Sequence, residues 1–212
     1  MPAILLRSLC AAGTILAASF ATGQTTRLSA PPVQNRPAAA PGQPVRKATD
    51  LIHKQDPIKV NQSLLKEATP NNVHIVVSIP KQRAYLMMGD QIVIDGPISS
   101  GKRGHNSPTG HFTVLEKDPN HHSSIYGDFI DHSGRTVRAG VSARIDSAPS
   151  GTHFAGATMK WFLRLTGDGV GMHIGILPGY PASHGCIRES VDGAKLFYDH
   201  VKVGTPVDVG DY

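Results

Sequence analysis

The segment MHIGILPGYPASHGCIRES, from Met172 to Ser190, gathers a cysteine, two histidines and an arginine. A thiol attacks a carbonyl carbon once a base removes its proton, and the resulting oxyanion needs donors. Cys186 is the candidate nucleophile. Two histidines could serve it. His173 lies in an apolar run with strand character. His184 precedes the cysteine by two positions, a spacing that points both side chains the same way on an extended chain. Gly185 lets backbone come close to a substrate, and the amides of Gly185 and Cys186 are candidate oxyanion donors. Arg188 offers a bidentate fork to a carboxylate, with a structural ion pair as the alternative. Ser183 stands where it could orient His184 or cap the loop. A helix starting near Ser190, with the histidines and the arginine, predicts a lowered thiol pKa; the dipole reaches only about one turn, so it can only assist. A lone cysteine is more often a buried hydrophobe, and a lone histidine on an apolar strand a satisfied core residue. The conjunction is what points to chemistry.

These residues must be positioned by a rather small body. The chain has 212 residues and only two cysteines, with 40% hydrophobic, 17% charged and 6% aromatic residues. That allows one disulfide at most and excludes a cysteine-stapled miniprotein or a four-cysteine zinc site. A net charge of +5 suits an anionic partner, but no Lys/Arg-rich run argues for nucleic acid. Residues 1–23 read as a secretory signal: Arg7, an apolar run from Leu9 to Ala21, then small residues, with cleavage expected near Gly23–Gln24. The run falls short of the roughly 20 residues that span a bilayer, so no stable membrane span is expected after cleavage. Cys10 would leave with the signal, and Cys186 would remain unpaired. The chain is therefore expected to be exported. Residues 24–71 are rich in proline, alanine and glutamine in their first half and read as a linker, although QSLLKEAT could form a short helix ended by Pro70.

From residue 72 to 212 the pattern is mostly β. VHIVVSI (Val73–Ile79) is a strand; RAYLMM and QIVI flank a Gly89–Asp90 hairpin turn. HFTVLEK (His111–Lys117), MKWFLRLT (Met159–Thr166) and VGMHIGI (Val170–Ile176) read as further strands, and TPVDV as the last. Residues 118–156 are polar and form, by position, a candidate substrate flap. One helix is expected over Ser190–Val201, with Val191, Ala194, Phe197, Tyr198 and Val201 at helical spacing.

His173, the loop Ile174–Ala182 and then Ser183-His184-Gly185-Cys186-Ile187-Arg188 resemble the motif of the L,D-transpeptidase catalytic domain, the YkuD family. IVVSIPKQRAYLMMGDQIVIDGPISSG is similar to that family's opening hairpin, and SPTGHFTV to a following strand. The resemblance covers about residues 73–209 and implies a β-sandwich-like domain with one or two short helices. It implies an enzyme of the cell envelope or periplasm acting on peptidoglycan stem peptides. Cys186 would attack a diaminopimelate carbonyl of a tetrapeptide stem and release D-Ala. An amine would resolve the thioester, giving a 3–3 cross-link or an anchored protein; water would make the enzyme an L,D-carboxypeptidase. The first histidine of the motif is the family's general base, which assigns that role to His173 and leaves His184 to assist. No cofactor is implied. One departure stands out: related sequences usually follow Cys-Ile-Arg with Leu or Met and then Pro, whereas here Glu189 and Ser190 follow. Glu189 could favour a helix N-terminus or repel a thiolate, so a degenerate, non-enzymatic wall-binding module is the alternative. A zinc site built from His105, His111, His121, His122, His132 and His153 is disfavoured, because none has the His-Glu-x-x-His spacing; solvated loop histidines explain them better.

Overall fold

The computed structural model describes residues 54–212; the expected signal and most of the expected linker lie outside the described residues. Fifteen elements follow in order: β1 (Lys59–Val60), α1 (Gln62–Glu67), β2 (His74–Ser78), β3 (Arg83–Met88), β4 (Gln91–Ser99), β5 (Gly110–Thr113), β6 (Glu116–Asp118), β7 (His122–Asp131), β8 (Thr136–Ser142), β9 (Thr152–Thr158), β10 (Phe162–Arg164), β11 (Gly171–Ile174), β12 (Ile187–Glu189), α2 (Val191–His200) and β13 (Pro206–Gly210).

The large sheet runs β5-β13-β2-β3-β4-β12-β11-β10-β6, with β1 on β4. Strand β4 is the joint. Its first part pairs with β3, and its end pairs with β12 through Arg188↔Ser99 and Glu189↔Ile98. Ile75, Val77 and Leu86 from one half share a core with Leu163, Met172 and Ile187 from the other. This is the mostly β, sandwich-like architecture that the sequence implied.

Upstream of residue 72 the chain is already part of this body. Asn61 caps α1, its side chain accepting from the amides of Ser63 and Leu64. Ile58, Val60, Leu64 and Leu65 pack on the core, and the Asn61 amide donates to Val93 O at 2.9 Å. Ile58, Val60, Leu64 and Leu65, on either side of Asn61, supply burial that a linker lacks, so the short helix offered for QSLLKEAT forms as α1 and residues 58–65 join the domain that was expected to begin at 72.

The Gly89 turn falls where predicted, with φ +54°. Other boundaries differ. The run 111–117 splits into β5 and β6, because Val114 turns to donate to Thr205 O and Leu115 to Arg164 O. The run 159–166 is strand only from Phe162 to Arg164, since Trp161 adopts φ +52°. Helix α2 is capped by Ser190 Oγ, which accepts from the Gly193 amide at 3.0 Å. It buries Gly193, Ala194 and Phe197 but leaves Val191 exposed. Lys117 Nζ closes its other end, donating at 2.6 Å to both Tyr198 O and Val201 O.

The segment 118–156, read from the sequence as a candidate substrate flap, holds most of a second, three-stranded antiparallel sheet, β8-β7-β9. Phe129 and Val141 are buried, and Phe154 meets Phe129 edge-on at 6.2 Å. Glycine is required at 127: a Cβ there would stand 2.1 Å from Ala155 O.

Candidate active site

The site is built by the parallel pairing of β11 and β12. Met172 faces Ile187, His173 faces Arg188 and Ile174 faces Glu189. Met172 and Ile187 point into the core, each fully buried. Side chains alternate, so His173 and Arg188 share the opposite face, and Cys186, one step before β12, joins them. Cys186 Sγ lies 3.9 Å from Gly169 O, in the turn that leads into β11.

His173 is 8% exposed. Its Nδ1 lies 2.7 Å from Ile174 O. A carbonyl only accepts, so Nδ1 carries the proton and Nε2 presents a lone pair. Burial holds the imidazole pKa down at about 4, with Arg188 and His121 adding repulsion, so the ring is neutral and basic at Nε2 through the physiological range.

The Cys186 thiol departs from the sequence reading. Burial raises its pKa, outweighing the Gly171 amide and the positive charges of Arg188 and Arg164, which pull it down; Asp168 also pushes it up. Strand β12 separates the cysteine from α2, so the helix end does not reach it. The resting pair is therefore a neutral thiol beside a neutral imidazole.

His184 is not aligned with Cys186. Gly185 between them has φ +119°, which breaks the alternation of an extended chain and leaves His184 exposed. Lys102 Nζ lies 3.0 Å from His184 Nε2. Tyr126 of β7 stacks on its ring at 4.7 Å, and His105 meets it edge-on at 4.8 Å. Burial, Lys102 and then His105 and Arg188 lower its pKa.

Ser183 caps the loop: its hydroxyl accepts from the Gly185 amide at 3.1 Å and donates to Cys186 O. The Gly185 amide, expected as an oxyanion donor, is thus occupied. Ser107 Oγ holds the other side of the same peptide, donating to Gly185 O at 2.7 Å.

Arg188 is half-buried, with no carboxylate in ion-pair reach among the described residues. The structural ion pair considered for it does not form. Gly175 makes room for its stem: a Cβ at 175 would stand 2.7 Å from Arg188 Cγ.

Glu189 is the largest correction. It is 1% exposed, on the core face of β12, and neither carboxyl oxygen has a hydrogen-bond partner. Burial raises its pKa to about 8. It faces away from the thiol, sits behind the helix end as a neutral acid at neutral pH, and so neither repels the thiolate nor favours the dipole.

Among the described residues no three His, Cys, Asp or Glu side chains gather in a way that could hold a metal. His111 is solvent-exposed and bridges to Asp208 at 2.5 Å. His121 is not a solvated loop residue: it stacks on Phe162 at 4.1 Å and donates from Nδ1 to Asp118 at 3.1 Å. His132 and His153 approach on the small sheet, with ring centres 6.4 Å apart. Four contributors escaped the sequence reading, Lys102, Tyr126, Arg164 and Asp168, and His121 was read only as a solvated histidine. Only the glycine-flanked cations of GKRGH gave a local signal.

Residues 72–209 match the family model YkuD, described as the L,D-transpeptidase catalytic domain. No curated protein matches the chain. Among solved structures, an L,D-transpeptidase from Mycobacterium smegmatis is similar at 26% identity and TM-score 0.49, over 65% of this chain and 58% of that one. L,D-transpeptidase 1 of Mycobacterium tuberculosis is similar at 24% identity and TM-score 0.46, over 65% and 61%. An L,D-transpeptidase from Xylanimonas cellulosilytica is similar at 20% identity and TM-score 0.48, over 65% and 60%. The chain spans about three fifths of the length of these relatives.

Proposed function

The chain belongs to the YkuD family of L,D-transpeptidase catalytic domains, and from that premise we propose that it is a cysteine-dependent acyltransferase of peptidoglycan stem peptides in the periplasm or cell envelope. The observation that supports this reading is the β11–β12 register, which pairs His173, its Nε2 unprotonated, with Arg188, two residues after Cys186.

In this mechanism Arg188 binds a stem carboxylate of the donor tetrapeptide, which supplies the counter-charge its guanidinium lacks. His173 Nε2 takes the thiol proton as Cys186 Sγ bonds to the diaminopimelate carbonyl carbon. Proton transfer is uphill at rest, since burial disfavours both the thiolate and the imidazolium. It is driven when substrate fixes the carbonyl against the sulfur. The C–N bond then breaks, D-Ala leaves with the proton from His173, and a thioester remains. An acceptor amine loses its proton to His173, attacks the thioester carbonyl, and the C–S bond breaks to restore the thiol. Tyr126 brings the small sheet onto His184, on the segment that carries Cys186.

The test uses defined tetrapeptide muropeptides and mass spectrometry. The wild-type protein is expected to form a thioester adduct and a cross-linked dimer, and Cys186→Ala neither, with its melting temperature unchanged within a few degrees. Cross-linking by the alanine variant would refute the mechanism. Wall binding with no adduct in the wild type would favour a binding module instead.

A further inference from the structure

The loop 101–107 is fastened to the nucleophile's own turn. Gly101 bridges to Ser183, and the Lys102 amide donates to Ser183 O at 3.0 Å. Ser107 Oγ accepts from the Gly101 amide at 2.9 Å while donating to Gly185 O. The loop closes so tightly that a Cβ on Gly101 would stand 2.0 Å from His105 O. Held this way, Lys102 Nζ reaches His184 Nε2 at 3.0 Å. An ammonium only donates, so His184 accepts at Nε2 and is neutral. Tyr126 covers one face of the imidazole and His105 its edge.

None of the ion pairs among the described residues involves Lys102, Arg103 or His105. Two cations without a carboxylate partner therefore stand on the Cys186 segment: Arg188, two residues after the cysteine, and Lys102, held on His184, two residues before it. Acyl transfer brings two substrates to the sulfur in turn, and the donor's carboxylate needs only one of these positions.

We propose that Lys102, backed by His184 and Tyr126, binds the α-carboxylate of the amine acceptor and so selects an amino-acid amine over water. This rests on the acyl-transfer reading and names its acceptor class. Diaminopimelate carries amine and carboxylate on one carbon. Water has no such handle, and a lysine ε-amine is separated from its carboxylate by several methylenes. A cation next to the bound amine also favours its neutral, nucleophilic form over the ammonium. Lys102 is a specificity-determining residue here, and the covalent steps at Cys186 are unchanged by it.

The experiment compares full-length wild type with Lys102→Ala and Lys102→Arg. A fixed tetrapeptide donor is offered a diaminopimelate stem acceptor whose carboxylate, on the carbon bearing the amine, is either free or converted to the carboxamide. The wild type is expected to prefer the free acid. Lys102→Ala should raise KM for that acceptor about five- to tenfold, leave KM for the carboxamide unchanged, and shift product toward hydrolysed tripeptide. Lys102→Arg should restore the preference, and the rate of thioester formation should stay within about twofold throughout. An unchanged acid-to-amide ratio in Lys102→Ala, or an equal loss with both acceptors, would overturn the proposal while leaving acyl transfer standing. A wild type that forms no thioester at all would overturn both, and mass spectrometry reads that outcome separately.

Discussion

Replacing Glu189 by methionine should stabilise the protein, and increasingly so as pH rises. The side chain stems from beside the first turn of α2, where a Cβ on Gly193 would stand 3.9 Å from Glu189 Cβ, an ordinary contact. It is flanked by Ile174 and Ile98 across the strands, and both its oxygens lack partners. An unfolded glutamate titrates at 4.5, and burial moves the folded value to about 8. Below pH 4.5 both states carry the proton and no stability is lost. Between 4.5 and 8 the unfolded chain releases a proton that the folded chain retains, so stability falls as pH rises; above 8 the loss levels off. The interval, 8 − 4.5, multiplied by about 1.4 kcal/mol for each pH unit, gives a loss of up to about 5 kcal/mol, of which about 3 kcal/mol is gone by pH 7. Even the neutral acid costs about 1–3 kcal/mol when its hydrogen bonds go unmade. Urea unfolding of wild type and Glu189→Met at pH 5, 7 and 8.5 tests this. The variant should be modestly more stable at pH 5, and its advantage should widen by several kcal/mol at pH 8.5. Glu189→Gln, which does not titrate but keeps polar atoms to satisfy, should be flat across this range relative to Met and less stable. A constant difference between wild type and Glu189→Met at all three pH values would refute the reasoning. So would a wild type that gains on the variant as pH rises, since that requires an ionised, partnered carboxylate.

With the thiol raised and His173 lowered, the free enzyme holds no preformed thiolate–imidazolium pair. Alkylation of Cys186 by iodoacetamide should then climb with pH from 6 to 8 at close to tenfold per unit, and a plateau across that window would refute the neutral resting pair. Gly175→Ala places a Cβ 2.7 Å from the Arg188 stem; the side chain is flexible enough to move, so the fold should persist while donor KM rises several-fold, and an unchanged KM would show that Arg188 is not held for the donor.

The proposed nucleophile, histidine and arginine could be picked out because they lie in one short segment. So were the Gly89 hairpin and α2, whose turn residue and apolar spacing are local signals. What stayed hidden depends on pairing at a distance. β12 has only three residues, Ile187 to Glu189, too few to show a period, and it is a strand because β4 and β11 flank it. Without that register no one can say which face Glu189 takes, and the choice of face decides everything about it. On the outer face it would be a charge beside a thiolate; on the inner face it is a neutral acid behind the catalytic strand. The misjudged thiol has the same origin. Proximity in sequence to His184, Arg188 and the start of α2 suggested stabilisation of a thiolate, but the three-dimensional answer is set by how completely the two sheet halves and the β10–β11 turn enclose the sulfur. Lys102 and Tyr126 make the point from the other side. They stand far from His184 along the chain and meet it because the Gly101–Ser183 bridge and the small sheet bring two surface segments to one imidazole. Chemistry concentrated in a motif can be read from the chain, whereas the groups that tune and select for that chemistry are contributed by whatever the fold lays against it.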